Sequence, residues 1–210
     1  MRIAVFGGTG NVGSAVVTEA VTRGHTVTVL TRHSAQVPDG ATWQKGDAAD
    51  AAVVAEAAAN NDVVVSALGP SREAGGDPAA FEGVVRTMAD AVGSTRLVVV
   101  GGAGSLLVAD GVRLFDTDVF PAEYQVEARA SFAALEFLRG AVSHLDWTYL
   151  SPAPVIEAGE RTGDYVVNDE TPAGDRISFA DYAVALVDEI EHPAHRRARF
   201  TVAGGVPPRG

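Results

Sequence analysis

The first thirteen residues, Met1-Arg-Ile-Ala-Val-Phe-Gly-Gly-Thr-Gly-Asn-Val-Gly13, leave the chain few folds to choose from. Arg2 to Phe6 reads as a short buried strand, and Val12, Val16, Val17 and Ala20 then recur at helical spacing along one apolar face. Between strand and helix lies a glycine-rich turn. Gly7 permits a sharp change of direction, Gly10 lets a pyrophosphate approach the backbone with no Cβ in the way, and Gly13 lets the helix pack close on the strand. The unpaired N–H groups and positive dipole end of that helix favour an anion, by about 0.3–1 kcal/mol for an exposed group. A glycine pattern alone is weak, because any tight strand-to-helix turn recruits glycine. Here a second strand, Thr26 to Leu30, follows the Arg23-Gly24-His25 turn and completes a βαβ unit of about thirty residues. A dinucleotide site is therefore expected, with Gly7, Thr9, Gly10, Asn11 and Val12 against the cofactor.

Later strand tips extend the site. The second strand ends Leu30-Thr31-Arg32-His33, where an acid would hold a free ribose 2′-hydroxyl and an arginine can grip a 2′-phosphate. Arg32 thus points to NADP(H), with NAD(H) as the alternative and a solvated arginine as the plain reading. The third strand, Thr42 to Asp47, ends in Gly46-Asp47-Ala48. Asp47 is placed to bond the adenine amino group, to cap the helix beginning near Asp50, or both. Asp62 to Ala67 is a continuous apolar run, as a strand covered on both faces should be, and Ala67, Leu68 and Gly69 leave room for a cofactor to lie across its tip. A helix from about Phe81 to Val92 precedes a fifth strand, Arg96 to Val100, which ends in Gly101-Gly-Ala-Gly-Ser105. Gly101 and Gly102 are assigned to the nicotinamide end. Ser105 is the polar candidate there, its alternative being an ordinary loop hydroxyl.

The connection from Leu106 to Ala122 holds Leu106, Leu107, Phe115 and Phe120 and is expected to form a substrate wall. A helix from about Tyr124 to Arg139 follows, then a sixth strand, Asp146 to Leu150, whose tip offers Pro152 and Ala153 to the cofactor. Val155 to Asp175 reads as a lid or side wall, Ile177 to Tyr182 opens another helix with Asp181 in its first turn, and Arg199 to Val202 reads as a last strand. The alternation predicts an α/β doubly wound parallel sheet in three αβα layers. A single domain over 1–210 is expected, with substrate-side loops at about 102–123 and 153–176 and a small C-terminal substrate-side region.

A net charge of −11 argues against nucleic-acid or anionic-membrane partners. No apolar stretch approaches the ~20 residues that span a bilayer, and with the first strand starting within residues 1–5 no signal peptide is expected. A cytoplasmic monomer or small homo-oligomer is the expectation. The absence of cysteine excludes disulfides, thiolate metal sites and a cysteine nucleophile. Glu191-His-Pro-Ala-His195 has a metal-like spacing, but Pro193 and the surrounding charges favour a solvated turn, and no metal is expected.

With these residues in view, the chain resembles an atypical member of the short-chain dehydrogenase/reductase superfamily, of the NAD(P)H-binding, NADH-flavin reductase-like and biliverdin reductase B-like kind. The likeness covers almost the whole chain. It is carried by the Gly7 to Gly13 turn, Thr31-Arg32, Gly46-Asp47, Ser66 to Gly69, Gly101 to Ser105, Leu145 to Thr148, Ser151 to Ala153, Gly159 to Gly163, Ile177-Ser178 and Asp181-Tyr182. It implies a Rossmann-like core and bound NADP(H), but no particular substrate. The superfamily's usual acid is a tyrosine with a lysine four residues on. Here Tyr124 is followed at that spacing by Ala128, Tyr149, Tyr165 and Tyr182 also lack the lysine, and Lys45 is the only lysine in the chain. Ser105 and Tyr124 remain the catalytic candidates, without an evident activating partner.

Reducing a simple ketone builds charge that needs an acid or oxyanion donor. A flavin or quinone spreads that charge over its own rings, so positioning against the nicotinamide supplies most of what is needed. The expected activity is an NADPH-dependent oxidoreductase acting on flavin, quinone or another conjugated acceptor, with Phe115, Phe120 and Tyr124 as apolar walls. The alternative is a non-catalytic NADP(H)-binding redox sensor or scaffold. Nucleotide-sugar isomerisation or epimerisation ranks third, for want of the tyrosine–lysine pair and of room for a sugar-nucleotide domain.

Overall fold

The computed structural model describes residues 1–70, 80–141 and 145–205. Its centre is an eight-stranded sheet in the order β10-β12-β8-β5-β4-β1-β2-β3. These strands are β1 (Arg2–Phe6), β2 (Thr26–Thr31), β3 (Thr42–Lys45), β4 (Val63–Ser66), β5 (Arg96–Val100), β8 (Trp147–Pro152), β10 (Tyr165–Asn168) and β12 (Ala198–Gly204). All neighbours run parallel except the edge strand β10, which lies antiparallel to β12. The chain leaves β1 towards β2 and β3, then returns to β4 on the other side. That reversal places a ligand crevice beyond the carboxyl ends of β1 and β4.

Among the described residues, five helices flank the sheet: α1 (Asn11–Thr22), α2 (Ala51–Asn60), α3 (Ala80–Ala91), α4 (Gln125–Gly140) and α5 (Phe179–Glu191). Side chains alternate across the pleat, so each central strand feeds two cores. Ile3 and Val5 join Val16, Val17, Tyr182 and Leu186 in the layer holding α1 and α5. Ala4 and Phe6 join Val54, Val85, Met88 and Leu135 in the layer holding α2, α3 and α4. Burial on both faces explains the continuous apolar runs of β4 and β5.

Several local expectations are corrected. Asp50, not Asp47, caps α2, accepting from the Ala52 N–H at 2.9 Å; Asp47 instead accepts from Ala49 at 3.0 Å in a turn of its own. The 106–122 connection contains a small hairpin, β6 (Leu107–Ala109) with β7 (Val112–Arg113), and helical turns at Leu114–Asp116 and Ala122–Tyr124. The 155–175 stretch is a side wall tied to the domain. β9 (Val155–Glu157) pairs with β11 (Arg176–Ser178), and β10 joins the main sheet. Asp181 accepts from the N–H groups of Thr162 and Gly163, each at 2.8 Å, and Arg161 holds Glu19 of α1 through two contacts of 2.7 and 2.8 Å.

His195 is a half-buried structural group, not a solvated turn side chain. Its ring stacks on Phe200 at 4.0 Å and meets Glu189 at 2.8 Å. Among the described residues no group of three or more metal-ligating side chains occurs, and no helix is long and apolar enough to cross a membrane. His144 lies outside the described residues.

Candidate dinucleotide site

The glycine turn is built by close contact. Gly7 has φ +81°, a region that favours glycine, and a Cβ there would stand 2.6 Å from the Ala67 carbonyl oxygen. A Cβ on Gly13 would stand 2.1 Å from the carbonyl oxygen of Gly7. Gly10 is the N-cap of α1 and supplies no side-chain cap, so the first N–H groups of the helix face outward with their dipole unopposed. Above this turn opens a cavity of about 660 Å³, within the range of small-molecule sites.

One side is built from the strand tips and their glycine-rich or apolar loops: Gly10 to Gly13 from the first turn, Ala67 to Pro70 beyond β4, Val100 to Gly104 at the end of β5, and Pro152 to Ile156 from the end of β8 into β9. Its opposite wall is Phe120, Tyr124, Glu127, Ala128 and Ser131, carried by α4 and the turn before it. The cavity thus brings together Gly10, Asn11, Val12, Ala67, Leu68, Gly69, Gly101, Gly102, Pro152, Ala153, Phe120 and Tyr124. Gly7, Thr9, Arg32, Asp47 and Ala48 lie outside its lining, Gly7 beneath the turn and the last three at and beyond the tips of β2 and β3.

Ser105 and Phe115, expected at the cavity, do not line it. Ser105 is 3 % exposed and lies behind the cavity wall, where its hydroxyl accepts from Arg199 at 3.0 Å and its carbonyl accepts from Arg113 at 2.9 Å. Arg199, buried in β12, also pairs with Glu170, which pairs in turn with Arg139 of α4. Burial, with the like charge of Arg139 adding to it, pushes the Arg199 guanidinium below its usual range, against the opposing pull of Glu170. Phe115 is likewise buried, its ring edge-on to Phe132 at 5.7 Å.

The tyrosines divide by burial. Tyr149 is fully buried, donates to the Ser131 carbonyl at 3.1 Å, and has its phenol pushed up to about 12 by desolvation. A Cβ on Gly101 would stand 2.0 Å from that ring, so packing demands glycine there. Tyr182 donates to the Leu150 carbonyl at 2.7 Å, and burial holds its phenol well above 10. Tyr124, 46 % exposed, lines the cavity, with Ala128 beside it. Glu127, Ser131 and Phe179 escaped the sequence reading, although residues 124, 127, 128 and 131 carry the three- and four-residue spacing of one helix face.

A family model described as NAD(P)H-binding matches residues 7–193. The chain belongs to this NAD(P)H-binding family. It is 41 % identical to the uncharacterized protein YwnB of Bacillus subtilis, over 96 % of this chain and 98 % of that one. Among solved structures, a candidate exported protein from Burkholderia pseudomallei superposes with a TM-score of 0.86 at 40 % identity, covering 97 % of this chain and 99 % of that one. A candidate NADH-flavin reductase from Streptococcus pneumoniae TIGR4 superposes with a TM-score of 0.86 at 32 % identity, covering 98 % and 100 %.

The site fits a nicotinamide dinucleotide on its own geometry: an uncapped helix N-terminus for the pyrophosphate, a glycine floor that tolerates close approach, and a cavity of matching size. Ser105→Ala tests the reassignment of that hydroxyl. It should lower stability by about 1–3 kcal/mol, because a buried guanidinium loses an acceptor, and leave the dinucleotide Kd within about twofold. A loss of turnover beyond the unfolded fraction would return the hydroxyl to the reaction.

Proposed function

We propose that this chain is an NADPH-dependent oxidoreductase that transfers a hydride to flavin, quinone or another conjugated acceptor. The observation that carries the reading is the contrast between the cavity's two sides. A side of glycine-rich strand tips suits a dinucleotide, and the wall of Phe120, Tyr124, Glu127, Ala128 and Ser131 offers aromatic surface to a flat ring but no tyrosine–lysine acid. The likeness to a candidate NADH-flavin reductase supports it.

In this reading the Asn11 and Val12 amides, after Gly7, Thr9 and Gly10, hold the pyrophosphate, and Arg32 holds the 2′-phosphate. Asp47 and Ala48 border the adenosine, and Ala67, Leu68 and Gly69 let the cofactor cross the β4 tip. Gly101, Gly102, Pro152 and Ala153 border the nicotinamide, which supplies the hydride. Phe120 and Tyr124 hold the acceptor flat and exclude water, which is where orientation does most for the rate. In this reading Tyr124, which is in contact with solvent, relays a proton to the reduced acceptor.

The withdrawal of Ser105 from the cavity favours a second reading, a non-catalytic NADP(H)-binding redox sensor. Calorimetric titration with NADPH and NADH, followed by NADPH oxidation with FMN, FAD and a quinone, separates the two. Binding with turnover supports the reductase, and binding without turnover supports the sensor. Arg32→Ala should weaken NADPH at least tenfold and NADH less than twofold; equal losses would remove Arg32 from the 2′-phosphate.

A further inference from the structure

We propose that Lys45 is the second cation of a phosphomonoester site at the tips of β2 and β3, acting with Arg32 on the 2′-phosphate of the dinucleotide. This rests on the choice of NADPH made above. The chain has 27 acidic side chains against 16 lysines and arginines, so cations are scarce and acids are available to them. The described arginines elsewhere are nearly all committed. Arg2, Arg23, Arg86, Arg96, Arg129, Arg139, Arg161, Arg176, Arg196 and Arg199 each meet a carboxylate. Arg113 binds the Ser105 carbonyl and covers the Phe132 ring, and Arg197 is also engaged. Among the described residues, Arg32 and Lys45 alone of the lysines and arginines show no partner, and both are exposed.

These two cations stand at neighbouring strand tips. Lys45 stands in register with Thr31, the residue before Arg32, and the Gly46 N–H bonds the Thr31 carbonyl at 2.9 Å, which keeps the two tips level. The Trp43 indole donates to the Thr31 hydroxyl at 2.8 Å, and that hydroxyl donates to the His33 carbonyl at 2.6 Å, fixing the turn that carries Arg32. Two-residue alternation puts Lys45 on the same sheet face as Trp43 and Thr31. Trp43 is in register with Val29, which packs in the α1 layer, so this is the face of the helix whose uncapped N-terminus awaits the pyrophosphate. Two like charges at neighbouring strand tips repel. A phosphomonoester, carrying about −1.5 to −2 at neutral pH, relieves that repulsion and matches both charges. Arg32 supplies a planar fork and Lys45 a mobile point charge.

The test is Lys45→Gln, with Lys45→Arg as the charge-keeping control, titrated calorimetrically with NADPH, NADH, adenosine 2′,5′-bisphosphate and adenosine 5′-monophosphate. Lys45→Gln should weaken NADPH and the bisphosphate fivefold to tenfold and leave NADH and the monophosphate within twofold. Lys45→Arg should restore most of the loss. Lys45 is exposed on an edge strand, so both variants should melt within a degree or two of the parent. Unchanged binding of all four ligands would mean that Lys45 only guards the sheet edge against pairing, and equal losses across all four would reduce it to background field; either result overturns the site. A parent protein that binds NADH as tightly as NADPH removes the NADPH choice itself, and the site with it.

Discussion

Gly13→Ala is expected to destabilise the protein by several kcal/mol and to abolish dinucleotide binding in whatever fraction still folds. The added methyl would lie 2.1 Å from the Gly7 carbonyl oxygen and 2.9 Å from the Gly7 carbonyl carbon and the Gly8 Cα. All three are backbone atoms of the turn between β1 and α1, so no side chain can swing aside. Overpacking a flexible core costs about 1–3 kcal/mol, and a rigid backbone neighbour puts this case at or above that range. Relief requires α1 to move off β1, which displaces the N–H groups that meet the pyrophosphate. Gly10→Ala is the matched control: Gly10 has φ −76°, and its nearest neighbour would be 3.6 Å away, so the fold accepts the methyl. That methyl would occupy the cavity side of the cradle. Thermal unfolding should therefore separate the two variants while titration finds both impaired. A Gly13→Ala protein that melts like the parent would show that the turn has slack its geometry does not display.

The same turn shows how far the sequence could be read. Gly7, Gly10 and Gly13 announce their tasks because those tasks are local: a positive φ, an open cradle and a helix–strand contact all lie within seven residues. The central strands were equally legible, since burial on both faces writes itself as an unbroken apolar run. What failed was decided at long range. The direction of the Ser105 hydroxyl depends on Arg199, 94 residues later, and nothing near Ser105 signals it. β10 was missed because Tyr165–Asn168 is a short edge strand whose valines are exposed on both faces, leaving no alternation to detect. The expected cap of α2, Asp47, gave way to Asp50 because a helix start is uncertain by a few residues from sequence and both positions carry an acid. The wall on α4 was different: its spacing was present, but the sequence alone did not show which helix face met the cavity.

Glu189→Ala should produce the other large effect, at the opposite end of the sheet. Arg96, at the start of β5, and Glu189, on α5, are each 5 % exposed and form an ion pair. Arg96 also donates to the Glu189 carbonyl at 2.7 Å and to Thr148 Oγ1 at 2.6 Å. The Glu189 carboxylate further accepts from the Ala194 and His195 N–H groups at 3.1 and 3.0 Å and meets the His195 ring. Removing it strands a buried guanidinium, a loss of about 3–5 kcal/mol against a typical total of about 5–15. At roughly 2–4 °C per kcal/mol, the melting temperature should fall by about 6–20 °C.

The pH dependence identifies the group. Burial pushes the Glu189 carboxyl up, but the His195 ring, the two N–H groups and Arg96 outweigh it and hold it below the usual 4.5. A carboxyl lowered on folding contributes stability that is complete above its unfolded value and is lost as pH falls through the folded one. The parent should therefore lose stability below pH 4.5 more steeply than Glu189→Ala, and the two should converge in acid. Because the pair sits at the amino end of β5 and the cavity at its carboxyl end, the folded fraction of Glu189→Ala should keep its dinucleotide Kd. An equal loss of affinity would mean that α5, whose Phe179 and Tyr182 line the cavity, carries the disturbance from one end of the sheet to the other.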